Sequence, residues 1–293
     1  FQAYDPLEEI GILAGIRSAG RDVPPMRNDQ PVAIGVARQL VLERLRDGLE
    51  ILWEHEVVDL LREGDRVVGV RVRSGDEEDD VPADIVVGAD GTRSGVRQLA
   101  GIDAELTLSD TAFIGFRSPV RSEEAFLINF TTDGRQATLL DWPGGSAGGW
   151  QIDRPDGGED AALAPGLDAF KRAYLHLLPG AAAAIEPVTE LRYRVVTEVR
   201  TETWWRPGVT LIGEALHAMN PEAGVGSGLG MADAQALAIA IGRAGDDPDA
   251  ALADYERWRR PAVAPYMAVG SQGVRVVRGG DVPPEERWPP SSW

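Results

Sequence analysis

The chain has 293 residues, 43% of them hydrophobic and 26% charged, enough to bury a full core as one large domain or two intimate ones. A formal net charge of −18 repels phosphate backbones and argues against a nucleic-acid partner. The absence of cysteine removes disulfides, thiolate metal sites and thiol nucleophiles. No apolar run approaches the roughly 18 residues of a spanning helix, and no basic segment leads into an apolar stretch at the N-terminus, so a soluble cytoplasmic protein is expected. Lys171 is the sole lysine, a compositional bias that leaves arginine to carry the positive charge.

Residues 1–34 read as irregular, broken by Pro6, Pro24, Pro25 and Pro31. Val36, Leu40, Val41, Leu45 and Leu49 keep helical spacing. Strands are expected at Ile51-Leu52-Trp53, at 56–60 and at 67–72, with Gly64-Asp65 turning between the last two. The acidic run 76–80 reads as a solvated hairpin tip. Residues 83–88 form a short apolar strand of the fully buried kind, running into a turn and short helix over 89–97.

From 106 to 199 short alternating strands dominate, at 112–116, 125–130, 137–142 and 149–152, interrupted by one helix over 167–178. They predict an antiparallel sheet. The strand at Val209 returns the chain to α/β structure, followed by helices near 231–244 and 248–269 and a Pro/Trp-rich tail. The expected division is 1–105 and 201–293 for the α/β part and 106–200 for the sheet.

The most informative stretch runs from Gly213 to Gly228, after the apolar run 209–212 and before the helix of Asp233 and Leu237. A strand, a glycine-rich turn and a helix in that order make a ligand site. Amide N–H groups at a helix start point outward unpaired, and glycines admit a ligand without a Cβ in the way. Glu214, at the strand end, adds an acceptor suited to a sugar hydroxyl. A phosphate loop of the P-loop type is excluded, because no Gly-Lys-Ser/Thr follows.

With these motifs the chain resembles the FAD-dependent monooxygenases of the aromatic-hydroxylase type. Residues 84–97 resemble that family's Asp-Gly motif, and 213–234 its Gly-Asp motif. Arg38 resembles the arginine that precedes both. The separations agree too: 52 residues from Arg38 to Asp90 (38 to 90) and 124 from Asp90 to Glu214 (90 to 214). The segment from Ala253 to Arg257 and on to Arg260-Pro261 is similar to the family's C-terminal pattern.

The resemblance implies a mixed α/β fold: an FAD/NAD(P)-binding Rossmann-like domain with an antiparallel sheet that roofs a small aromatic or polyketide-like substrate. It implies FAD as cofactor and NAD(P)H as transient reductant, with hydroxylation as the outcome. Arg38, Asp90, Gly213, Glu214, Ala215, Pro221, Gly224, Val225, Gly226, Ser227 and Gly228 are the implied cofactor-binding residues. Glu214 would face the ribityl chain, Asp90 would brace the pyrophosphate region, and 221–228 would pack against the flavin ring and phosphates.

The family opens with strand, Gly-x-Gly-x-x-Gly and helix, and no such motif occurs in these residues. By the resemblance, some 60–70 residues carrying that first βαβ unit would precede residue 1. Glu214, Leu216 and Gly228 stand where the family places Asp, Ala and Asn. Three explanations stay open: a piece of a flavoenzyme, a shortened homologue that lost FAD and acts as a cyclase, isomerase or binding protein, or a site completed by another segment.

His217 is the weak candidate for acid–base catalysis, set against a structural role. His55 and His176 share no metal-ligand spacing, and no metal site is expected. Asp90 has a plainer reading as a helix cap. Residues 144–148 match Gly-x-Ser-x-Gly, but with Pro143 before and a strand after, they read as a hairpin turn and not a nucleophile elbow. Trp142, Trp150, Trp204, Trp205 and Trp258 are core residues sooner than pocket linings.

Overall fold

Residues 3–27, 30–130, 135–221 and 224–277 are described by the computed structural model. The expected irregular N-terminal segment is instead two helices and a hairpin. α1 (Tyr4–Glu9) tolerates Pro6 because its first-turn amides have no intrahelical acceptor. With α2 (Leu13–Ala19) it buries Tyr4, Leu7, Leu13 and Ile16 in one small cluster. β1 (Arg21–Arg27) and β2 (Gln30–Gly35) pair antiparallel. Pro24 and Pro25 lie where the register shifts between Val23 and Met26, so their missing amide protons break no regular ladder.

α3 (Arg38–Arg46) ends three residues before the periodicity does. The strand expected at 51–53 is not formed, and Leu52 and Trp53 are 55% and 63% exposed. A strand needs a partner ladder, and none of the described residues supplies one there. β3 (Glu56–Glu63), β4 (Arg66–Ser74) and β5 (Glu77–Pro82) make an antiparallel sheet. The acidic run lies along edge strand β5, not at the tip, which is Gly75-Asp76. Cross-strand pairs Arg71–Asp80 at 2.7 Å and Arg73–Glu78 at 2.8 Å hold it there. The buried strand expected over 83–88 shrinks to β6 (Val86–Gly88).

α4 (Gly95–Leu99) leads to β7 (Ala104–Ser118), β8 (Phe126–Phe130), β9 (Gln136–Trp142) and β10 (Gly145–Asp153). After α5 (Gly158–Leu163), α6 (Leu167–Leu177), a 3-10 turn and α7 (Ala182–Ile185), the chain re-enters the sheet as β11 (Arg192–Thr201). All five strands are antiparallel in the order β11-β7-β10-β9-β8. One face carries Ile114, Phe116, Ala137 and Leu139 against Phe170 and Tyr174 of α6. Gly148 lies on that face because an added Cβ would come within 2.5 Å of the Phe116 and Tyr174 rings. The Gly-x-Ser-x-Gly match is part of the β9–β10 hairpin, as read from sequence. Ser146 is buried and donates to the Val120 carbonyl at 2.7 Å.

β12 (Trp205–Arg206) and β13 (Val209–Leu211) follow, with β13 antiparallel to β12 and parallel to β6. α8 (Glu214–His217), α9 (Gly226–Ala244) and α10 (Pro248–Val277) complete the described chain. α9 begins five residues before its expected start, and α10 runs eight beyond its expected end. Val209, Leu211, Leu229, Leu252 and Tyr255 form the α/β core. The N-terminal hairpin bridges to the larger sheet: Arg21 meets the buried Asp141 of β9 at 2.7 Å. No helix among the described residues is long and apolar enough to cross a membrane.

Candidate functional site

Two turns meet at the carboxyl ends of the parallel strands β6 and β13. Val209, Thr210 and Leu211 pair with Val86, Val87 and Gly88, and the Ile212 amide donates to the Gly88 carbonyl at 3.0 Å. Both chains turn immediately afterwards, one into α4 and the other into α8. The crevice beyond strand carboxyl ends is where open α/β sheets take ligands.

In the first turn, the Ser94 hydroxyl donates to one oxygen of Asp90, and the Val96 amide donates to the other at 3.0 Å. Ser94 itself accepts from the Arg97 amide at 2.9 Å. Asp90 thus caps α4 and makes the turn rigid. Arg97 is almost fully buried and donates to the Ala215 carbonyl at 2.7 Å and the Thr92 carbonyl at 3.0 Å. Burial lowers its pKa from the ordinary arginine value, opposed by the nearby Asp90 charge. This bridge between the turns was not read from sequence. The only signal was the arginine's place at the end of the first motif, which says nothing of its distant partner.

The second turn depends on Gly213, whose φ of +59° and ψ of −137° lie in a region open essentially to glycine alone. An added Cβ there would come within 3.7 Å of the Gly230 Cα, so strand end and helix approach closely. The Gly213 amide donates to Asp233 of α9 at 3.1 Å. Glu214, next in sequence, is exposed at the start of α8, with the Thr92 hydroxyl 3.5 Å from its carboxylate. Asp90, Gly213, Glu214 and Ala215 are therefore brought together, across more than a hundred residues of chain.

His217 is placed behind this turn, 5% exposed, donating from Nε2 to Asp233 at 2.6 Å. Arg259 of α10 donates to the other Asp233 oxygen at 2.9 Å. Burial alone would push the Asp233 carboxyl up. The His217 hydrogen bond, the neighbouring charges and the Gly213 amide outweigh it and hold the group below its ordinary value. One carboxylate thus fastens α8, α9, α10 and the Gly213 backbone.

The glycine run expected as a turn is partly helix: Gly226, Ser227 and Gly228 are the first turn of α9. Their helix propensity is poor. The fully buried Leu229 and the Gly213–Gly230 contact supply the tertiary packing that overrides it. Ahead of them the Gly224 amide closes on the Pro221 carbonyl at 2.8 Å, with Gly224 at φ +66°. Added Cβ atoms on Gly224 or Gly226 would meet nothing within 4 Å. Glu222 and Ala223, inside the implied turn, lie outside the described residues, as does the Pro/Trp-rich tail. Val225 is half-buried and Ser227 exposed. Arg38 opens α3 and is exposed, with no hydrogen bond or ion pair to either turn among the described residues. Its helix nevertheless packs Val41 and Leu45 into the cluster that contacts Met231 of α9.

Residues 34–268 match the family described as FAD binding domain. The chain belongs to the FAD binding domain family. Within it, the chain is 31% identical over 216 residues to the ubiquinone hydroxylase UbiL of Rhodospirillum rubrum, an alignment covering 70% of this chain and 48% of that protein. It is 30% identical over 249 residues to the protoasukamycin 4-monooxygenase of Streptomyces nodosus subsp. asukaensis, covering 79% and 60%. It spans roughly half of the two relatives' length. Pseudomonas aeruginosa PqsL, solved in complex with 2-aminobenzoylacetate, superimposes with a TM-score of 0.73 at 22% identity, over 94% of this chain and 84% of that one. That likeness carries the fold.

The residues fit the family's cofactor. The glycine positions before and at the start of α9 leave open space a Cβ would enter. The first amides of this 19-residue helix have no intrahelical acceptor, and with the helix dipole they suit an anionic or carbonyl edge. Glu214 and the Thr92 hydroxyl offer an acceptor and a donor for a polyol chain beside that cradle.

Proposed function

We propose that the chain forms the greater part of an FAD-dependent monooxygenase. It would consume NAD(P)H and hydroxylate a small aromatic or polyketide-like molecule. The observation that carries this reading is the junction of the two turns, locked by Arg97, beside the open glycine cradle at the start of α9. Membership of the FAD binding domain family supports it.

In this reading the amides of Gly226, Ser227 and Gly228 receive the cofactor's acceptor edge, and Glu214 accepts from its hydroxyls. Asp90 and Arg97 keep the first turn in place, Asp90 through its cap and Arg97 through its carbonyl contacts. Pro221, Gly224, Val225, Gly213 and Ala215 shape the wall, and Arg38 approaches from α3. His217 positions the turn through Asp233. FAD, when bound, supplies the transfer of electrons from NAD(P)H to dioxygen that oxygen insertion requires. The larger sheet holds the substrate, and β11 carries the chain from it to α8: the Val199 amide donates to the Ala218 carbonyl at 2.9 Å.

The test is stoichiometric flavin uptake followed by substrate-stimulated NAD(P)H oxidation. Uptake with stimulated oxidation supports the proposal. A colourless protein that still converts a metabolite would favour the flavin-free cyclase or isomerase reading, and a colourless inert one the binding-protein reading.

A further inference from the structure

Five strands of the larger sheet bring one row of residues into register: Arg192, Gly115, Gly149, Thr138 and Ile128, from β11 across to β8. Alternation places them on the face opposite α6, since their neighbours Ile114, Phe116 and Leu139 face the helices. The two central positions of the row have no side chain. Neither glycine has the positive φ that would demand it. An added Cβ on either would meet only a backbone oxygen at 3.3 Å, which a small shift relieves. Gly148 differs, because packing against Phe116 and Tyr174 explains it. Gly115 and Gly149 therefore leave a trough two strands wide, roughly 10 Å across.

The walls of the trough differ in chemistry. On one side stand the exposed guanidiniums of Arg117, Arg192 and Arg194. Among the described residues Arg117 and Arg194 have no ion pair, and Arg192 has only an exposed, loose one to Glu190 at 3.8 Å. In a chain with 47 acidic and 29 basic residues, arginines free of carboxylates on one face are a notable departure. On the other side Ile128, Phe126 and Phe130 of edge strand β8 are 43%, 38% and 49% exposed. Those three share this face by alternation, while Leu127 packs toward the helices.

We propose that this trough binds the substrate, and that the substrate is a planar apolar acid. Its ring system would lie across Gly115 and Gly149, with its carboxylate toward Arg192 and Arg194 and its apolar end toward Ile128. Guanidinium groups bind a carboxylate through paired, charge-assisted hydrogen bonds, which a neutral amide cannot match. The assignment of this ligand as substrate rests on the monooxygenase reading.

The experiment compares 2-naphthoate with neutral 2-naphthamide by isothermal titration calorimetry, with FAD uptake measured separately on the same preparation. The acid is expected to bind about tenfold more tightly than the amide. Arg192→Ala/Arg194→Ala, changed only at exposed positions, should erase that preference and leave amide binding unaltered. Gly149→Val should weaken both ligands. Equal binding of acid and amide, no binding of either, or a preference surviving the double substitution overturns the proposal. A chain that takes up FAD without preferring the acid keeps the monooxygenase reading and loses the trough. A chain that prefers the acid without taking up FAD keeps the trough as a binding site and loses the assignment of the acid as substrate.

Discussion

Arg97 donates to the main-chain carbonyl of Ala215 at 2.7 Å, joining two turns that lie 118 residues apart in sequence. The same guanidinium holds the Thr92 carbonyl at 3.0 Å, so one side chain sets the width of the crevice. Replacing it with methionine leaves both carbonyls unpaired in a buried place. Arg97→Met should cost about 3 kcal/mol, the scale of buried charge-assisted hydrogen bonds lost without replacement. Urea unfolding checks this through a lower midpoint at unchanged slope.

Asp233 should show its role in a pH series. Its carboxyl lies below the ordinary value in the folded state, so its stabilisation is complete above the unfolded value near about 3.9 and disappears as pH falls through the folded value. Asp233→Asn should lower stability by about 3 kcal/mol at neutral pH, where it removes the charge opposite Arg259 and His217. Melting temperatures of the two proteins should keep a steady gap down to about pH 5 and converge below about pH 4. A gap constant down to pH 3 would contradict the role assigned to the carboxylate.

Gly213→Ala should be costly out of proportion to one methyl group. The backbone conformation at φ +59° and ψ −137° excludes a side chain on steric grounds, at a cost of about 1–3 kcal/mol. Flavin retention should fall as well, because Glu214 follows directly. Thermal melts together with flavin content of the purified protein read both effects.

Gly148 and Gly149 should separate sharply. Gly148→Ala drives a Cβ to within 2.5 Å of Phe116 and Tyr174, an overpacking of the kind that costs about 1–3 kcal/mol. Gly149→Ala on the opposite face should cost well under half as much. Comparing their unfolding midpoints is sufficient.

The strand–turn–helix at 209–237 was legible because an apolar run, glycines and a helical period follow one another there. The antiparallel sheet was legible from alternation, though β11 was not resolved as a strand, since its exposed arginines mask the pattern. Residues 3–35 were misread because prolines were taken as breakers where the first helical turn and a register shift accommodate them. The strand read at 51–53 had the composition of a strand but no partner, and pairing is not written in local sequence. Of the site, the glycines and Glu214 stood out by spacing. Arg97 and Asp233 did not, because their partners are distant in the chain and only the parallel β6–β13 pairing brings them near.

The central claim is that the paired turns hold FAD, and flavin titration of the chain beside Glu214→Ala and Arg38→Ala tests it most directly. Both side chains are exposed, so neither substitution should move stability by more than about 0.5 kcal/mol. The account predicts that the unaltered chain takes up FAD and that both variants, still folded, bind it more weakly. Flavin affinity identical in all three proteins would contradict it.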